Sequence, residues 1–215
     1  MIRDNLKKIL LFVFIFNSVL LYAQKKQLAV ARELLKSGKE LAKAEKSMQT
    51  LLDDSVNRTN TKIWVMLCDV LTKQYEQGNE KLYLKQKYDT AAFFSVTKRM
   101  YETMASFDSV DARLDTPTPV SPKYRERHAQ LLNSIRPNLF NGGTYFLHLK
   151  NYKTAYDYFD NYIRTDKQSL FTGYDYEHKD ALMPHAAYWA MYCGYKLKDT
   201  EKTMRHLRLA ERDTS

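Results

Sequence analysis

Histidine and carboxylate side chains come together in the sequence at one place, Glu177-His178, Asp180 and His185. Such residues can ligate a metal ion, but in an irregular stretch they read first as a polar surface loop. Asp157 and Asp160 stand three apart, so a helix would put both carboxylates on one side. Acid–base chemistry uses such a pair, although a solvated helix face carries one more often. Cys68 and Cys193 are the only cysteines. An even count permits a bridge in an oxidising compartment, but two cysteines cannot complete a structural zinc site. Each lies in an apolar helical stretch, Trp64-Val65-Met66-Leu67-Cys68 and Trp189-Ala190-Met191-Tyr192-Cys193, so two buried thiols are expected. No dinucleotide fingerprint, Walker loop, Gly-x-Ser-x-Gly elbow or His-Glu-x-x-His helix occurs. Gly142-Gly143 sits inside apolar helix and reads as a packing pair, not a phosphate loop. The expectation is a protein without catalysis, cofactor or bound metal.

The elements that would position these residues are helices. Only 6 glycines and 5 prolines occur in 215 residues, too few to punctuate an all-β chain. Hydrophobic residues at 44% and charged ones at 27% exclude global disorder. Leu28, Ala31, Leu34 and Leu35 form one apolar stripe, and Leu41, Ala44, Met48, Leu51 and Leu52 the next, with Gly38 where a helix end favours a left-handed residue. A third helix is expected from about Thr61 to Glu76, ending at Gln77-Gly78-Asn79, with a return helix from about Leu82 or Tyr88 to Phe107. Three prolines in Thr116-Pro117-Thr118-Pro119-Val120-Ser121-Pro122 favour an extended linker, with Ser121-Pro122 as the start of a following helix. Helices are then expected over Lys123–Ile135, Pro137–Lys150, Tyr152–Arg164, Met183–Leu197 and Thr200–Glu211. Pro137 either separates two helices or kinks one.

Residues 1–23 read as a secretory signal peptide. Arg3, Lys7 and Lys8 precede an apolar run from Ile9 to Leu21, and Tyr22-Ala23-Gln24 offers a cleavage point after Ala23. The run is short for a membrane span; left uncleaved, it would be the chain's membrane attachment. This N-terminus resembles those of exported proteins of Gram-negative bacteria, which implies the periplasm or the cell surface. The net charge is +9, and losing the segment with Asp4 leaves about +7. The basic residues are spread along every helix, which suits a solvated surface and not a nucleic-acid partner.

Residues 136–167 resemble a tetratricopeptide repeat through Leu139, Gly142-Gly143, Phe146, Ala155, Phe159 and Tyr162, with Leu149-Lys150-Asn151-Tyr152 as the turn between helices. Residues 184–215 match through Ala187, Ala190, Leu207 and Ala210, with Lys198-Asp199 as the turn; Gly194 falls where the motif has an aromatic, and Thr203 where it has alanine. Residues 24–52 agree loosely. The resemblance implies an all-α, TPR-like α-solenoid of helical hairpins in a right-handed superhelix. Its parts would be hairpins over 24–115, the linker 116–122 and hairpins over 123–215.

A repeat array of this family presents a groove to a protein or peptide. The matching positions here are Phe140, Thr144, Leu147 and His148, then His185, Tyr188, Tyr192, Tyr195 and Lys196; they line that groove or pack on a neighbouring repeat. The expected function is an exported scaffold for protein–protein interaction in the bacterial envelope. The alternative is a surface glycan- or ligand-capture protein using Phe171-Thr172-Gly173-Tyr174-Asp175-Tyr176. Leu207, Leu209 and Ala210 close to the C-terminus suggest a homo-oligomer through the last helix, or an array that continues.

Overall fold

The computed structural model describes residues 24–113, 117–118 and 120–213. The expected signal segment 1–23 lies outside the described residues. Eleven α-helices form and no strand is present among the described residues. In chain order they are α1 over 24–37, α2 (Leu41–Asp53), α3 (Thr61–Tyr83), α4 (Thr90–Asp111), α5 (Arg125–Ile135), α6 (Pro137–His148), α7 (Tyr152–Arg164), α8 (Tyr176–Lys179), α9 (Leu182–Lys196), α10 (Thr200–Met204) and α11 (Leu207–Ala210). The contacts divide the chain into two compact units, with the boundary inside α3 between Gln74 and Tyr75.

In the first unit Gly38 ends α1 with φ 65°, in agreement with the sequence. Ala31, Leu41, Ala44 and Met48 are buried along α1 and α2, and Ile63, Leu67, Cys68, Val70 and Leu71 along α3. Glu45 is buried as well, and its carboxylate accepts hydrogen bonds from Gln49 (3.1 Å) and Gln74 (2.7 Å).

In the second unit α3 continues past Gly78, where the sequence suggested its end. A Cβ at Gly78 would meet the Tyr88 ring at 2.9–3.1 Å, so this glycine makes room for an aromatic and caps nothing. The helix stops instead at Lys85, with φ 54°, where Gln86 N–H bonds the Lys81 carbonyl (2.8 Å) and Lys85 N–H that of Leu82 (3.0 Å). This closure with a left-handed residue satisfies the last carbonyls of a helix.

The same closure recurs at Lys150, φ 57°, with Asn151 bonded back to Phe146 and Lys150 to Leu147. It recurs again at Lys198, φ 56°, with Asp199 bonded to Gly194 and Lys198 to Tyr195. In both turns the next residue caps the following helix: Asn151 accepts from Thr154 N–H at 3.2 Å and Asp199 from Lys202 N–H at 3.0 Å. The α6–α7 and α9–α10 hairpins therefore share one turn chemistry.

Ser121-Pro122 does not begin the next helix. It starts at Arg125, where Tyr124 N–H donates to Asp111 (2.9 Å) and the Arg125 guanidinium holds buried Asp108 by two bonds (2.8 and 2.7 Å). Elements on either side of the proline-rich segment thus belong to one unit. Pro137 opens α6 directly after α5, and Arg136 between them keeps α-helical torsions. Helix α7 packs between α6 and α9, and α10 and α11 lie on α9. Gly143 and Ala155 are both buried. A Cβ at Gly143 would stand 2.6 Å from the Phe159 ring and one at Gly142 2.7 Å from the Tyr158 ring, so the glycine pair seats two rings of α7. Leu139, Phe159 and Tyr162 are buried, and Phe146 stacks on Tyr158 at 5.4 Å.

The helices of the second hairpin pack differently. A Cβ at Gly194 would lie 2.5 Å from Thr203 N and 2.8 Å from Lys202 C. The two departures from the repeat pattern, Gly194 and Thr203, are therefore each other's neighbours. The helix expected over Thr200–Glu211 is broken into α10 and α11 at Arg205-His206. His206 there leaves the helical path to reach Asp160 at 2.7 Å.

Candidate functional site

Helix α9 places an aromatic residue or histidine at 185, 188, 189, 192 and 195, a three- and four-residue spacing that gathers side chains on one face. Phe140 of α6 joins this row across the hairpins, its ring stacked on His185 at 5.9 Å. His185 then stacks on Tyr188 (6.4 Å) and meets Trp189 edge-on (5.8 Å). Trp189 touches Tyr192 at 5.6 Å, and Tyr152 of α7 touches Tyr192 at 6.2 Å. Lys196 ends the row, its ammonium over Tyr192 (5.2 Å) and Tyr195 (6.0 Å). Tyr188 is 40% and Tyr195 68% exposed, so the row runs from a packed end at Phe140 to an open end at Tyr195.

The histidine in this row is held by two partners. The Trp189 indole N–H can only donate, and it points at His185 Nε2 (2.9 Å). Nε2 must therefore accept, and Nδ1 carries the proton toward Asp213 at 2.9 Å. This arrangement fixes the ring plane and ties Asp213, just after α11, to α9; both nitrogens are engaged, so His185 is a stacking surface.

Of the groove residues expected from the sequence, Phe140, His185, Tyr188, Tyr192, Tyr195 and Lys196 form this one row. Thr144, Leu147 and His148 do not join it among the described residues. The Thr144 hydroxyl donates to the Phe140 carbonyl in its own helix (3.2 Å), Leu147 is half-buried and His148 is exposed. Trp189 and Tyr152 are members the repeat pattern did not select. The signal for Trp189 was its place four residues after His185 and three before Tyr192.

A second constellation centres on Arg136, which the sequence did not single out. Arg136 is 5% exposed, and its guanidinium lies 3.7 Å from the Tyr162 ring centre and 3.8 Å from that of Tyr176. Its nitrogens donate to Asp180, to the Thr165 hydroxyl (3.0 Å) and to the Tyr162 carbonyl (3.1 Å). Tyr162 also donates to Asp180 (2.5 Å); burial first, and this bond second, push its phenol well above the usual range. One arginine thus pins α7, α8 and the loop at 165–181. Asp180 is consequently part of this pin, while Glu177 bonds Lys167 (2.7 Å) and His178 bonds Asp175 (2.6 Å). No group of three or more His, Cys, Asp or Glu side chains converges among the described residues.

No family model, curated protein or solved structure matches the chain. The site rests on its own chemistry alone. In the aromatic stretch of the alternative reading, Phe171 and Tyr176 are buried and only Tyr174 is half-exposed, because the first two rings wall the core around Tyr101 and Arg136. Cys68 and Cys193 are both buried thiols; burial raises that of Cys193 to about 12, which suppresses the nucleophilic thiolate. Asp160 is directed at His206, apart from Asp157. Burial acts against its charge, but the His206 bond, with Arg164 and Arg205, holds its carboxyl below the ordinary value.

Proposed function

We propose that the chain is an exported, TPR-like helical scaffold that holds another protein or peptide on the α9 face and catalyses nothing. The observation that carries this is the continuous row from Phe140 through His185, Tyr188, Trp189 and Tyr192 to exposed Tyr195, closed by Lys196. Rigid aromatics beside a cation are the side chains from which protein-binding hot spots are built, since they bring large apolar area at low entropic cost. Kinship with repeat arrays is supported by the shared turn at Lys150-Asn151 and Lys198-Asp199 and by the seating of Phe159 on Gly143. Export to the periplasm or cell surface is supported by the composition of residues 1–23.

A photoreactive phenylalanine analogue in place of Tyr195 tests this in envelope extract. The expected result is a discrete crosslinked protein that disappears when Tyr188→Ala is added. The same crosslinks from an analogue at exposed Lys153 would show non-specific adhesion and overturn the proposal. So would binding confined to soluble glycans.

A further inference from the structure

A cavity of about 530 Å³ opens between the C-terminus of α7, the loop at 166–167, α8, the start of α9 and the broken helix α10–α11. Its volume falls within the range of small-molecule sites. Ile163 and Met183, both buried, and half-buried Leu209 give it an apolar floor. Its rim is basic: Arg164, Lys167, Arg205, Arg208 and Arg212, against the carboxylates of Asp166 and Glu177.

The local pairing leaves positive charge over. Lys167 is held by Asp166 (2.9 Å) and Glu177 (2.7 Å), and Glu177 also faces Arg212 at 3.7 Å. Asp160 beside the rim bonds His206 and has Arg164 at 3.6 Å and Arg205 at 3.7 Å, while Arg205 also pairs with Glu201, so Arg164 has only a share of Asp160. Arg208 has no carboxylate partner among the described residues. The break at Arg205-His206 shapes the opening, since a continuous helix would not deliver His206 to Asp160.

We infer that this cavity binds a small amphiphilic anion, a carboxylate or phosphate head on a short aliphatic body. The head would sit at Arg208, which has no carboxylate partner among the described residues, and at Arg164, which shares Asp160 with His206 and Arg205, and the body on the Ile163–Met183–Leu209 floor. Guanidinium groups favour such heads because their planar fork matches two oxygens at once. The site is separate from the α9 aromatic row, and neither depends on the other being right.

Calorimetric titration of the protein with octyl phosphate tests the inference, with inorganic phosphate, octyl glucoside and phosphatidylglycerol vesicles as parallel titrants. The expected result is saturable binding of octyl phosphate at one site, at least tenfold weaker binding of the other two soluble titrants, and no requirement for vesicles. Arg208→Glu should weaken octyl phosphate at least tenfold; Arg164→Gln, on an exposed side chain, provides a second reading should the first variant misfold. Lys153→Glu, outside the cavity, should change nothing. Absence of binding, equal binding of inorganic phosphate, binding to vesicles alone, or unchanged affinity in both arginine variants would overturn the inference.

Discussion

Replacing Gly194 by alanine sets local propensity against tertiary contact. Alanine is favoured over glycine inside a helix by about 1 kcal/mol, so helix propensity alone predicts a more stable protein. In the fold, the new Cβ would lie 2.5 Å from Thr203 N, 2.8 Å from Lys202 C and 2.9 Å from Thr203 Cα. All three are backbone atoms, so no rotamer change relieves the overlap. Restoring ordinary contact near 3.5 Å requires α10 to retreat by roughly 1 Å. Overpacking of this kind costs about 1–3 kcal/mol, and a rigid backbone neighbour places it in the upper part of that range. The net expectation is a loss of about 1–2 kcal/mol. Displacing α10 also loosens the His206–Asp160 bond. Urea unfolding followed by circular dichroism measures the stability, and amide exchange over 200–210 locates the loosening. The control is Gly173→Ala: its φ is 94° and nothing lies within 4 Å of an added Cβ, so it strains the backbone without accelerating exchange at 200–210. An unfolding midpoint for Gly194→Ala at or above that of the parent would refute the reasoning.

Two further outcomes follow from buried polar groups. His128 is 6% exposed between Phe107 and Tyr124, and burial, then the Arg127 charge, lower its pKa from 6.5 to about 4. The unfolded chain therefore takes up the proton first: stability is complete above about pH 6.5 and falls as pH drops toward 4, by up to roughly 3 kcal/mol. Unfolding midpoints across that window should show the slope, and His128→Gln should abolish it; a slope unchanged in the variant would be the contrary result. Arg136→Lys should destabilise by about 3 kcal/mol, because an ammonium cannot fill the fork between two rings and leaves Asp180 poorly paired. Thermal unfolding and faster proteolysis within 166–181 would register it, and a change under about 0.5 kcal/mol would contradict the pinning role.

The sequence by itself determined the helical class, the course of α7 at Tyr152–Arg164 and the turns at Lys150-Asn151 and Lys198-Asp199. These follow from period and from capping residues, which act within a few positions of chain. The resemblance to a repeat motif selected six of the side chains in the row, Phe140 on α6 and five on α9, since a motif position implies a helix face. Tertiary structure alone decided that α3 runs on past Gly78, because that glycine serves the Tyr88 ring. It decided that Gly194 and Thr203 meet, that Arg136 gathers Tyr162, Tyr176 and Asp180, and that His206 breaks the last helix to reach Asp160. Each of those depends on a neighbour 9 to 46 residues away. A periodic pattern records which face of a helix is apolar; the ring, carboxylate or backbone that arrives there is known only once the chain has packed.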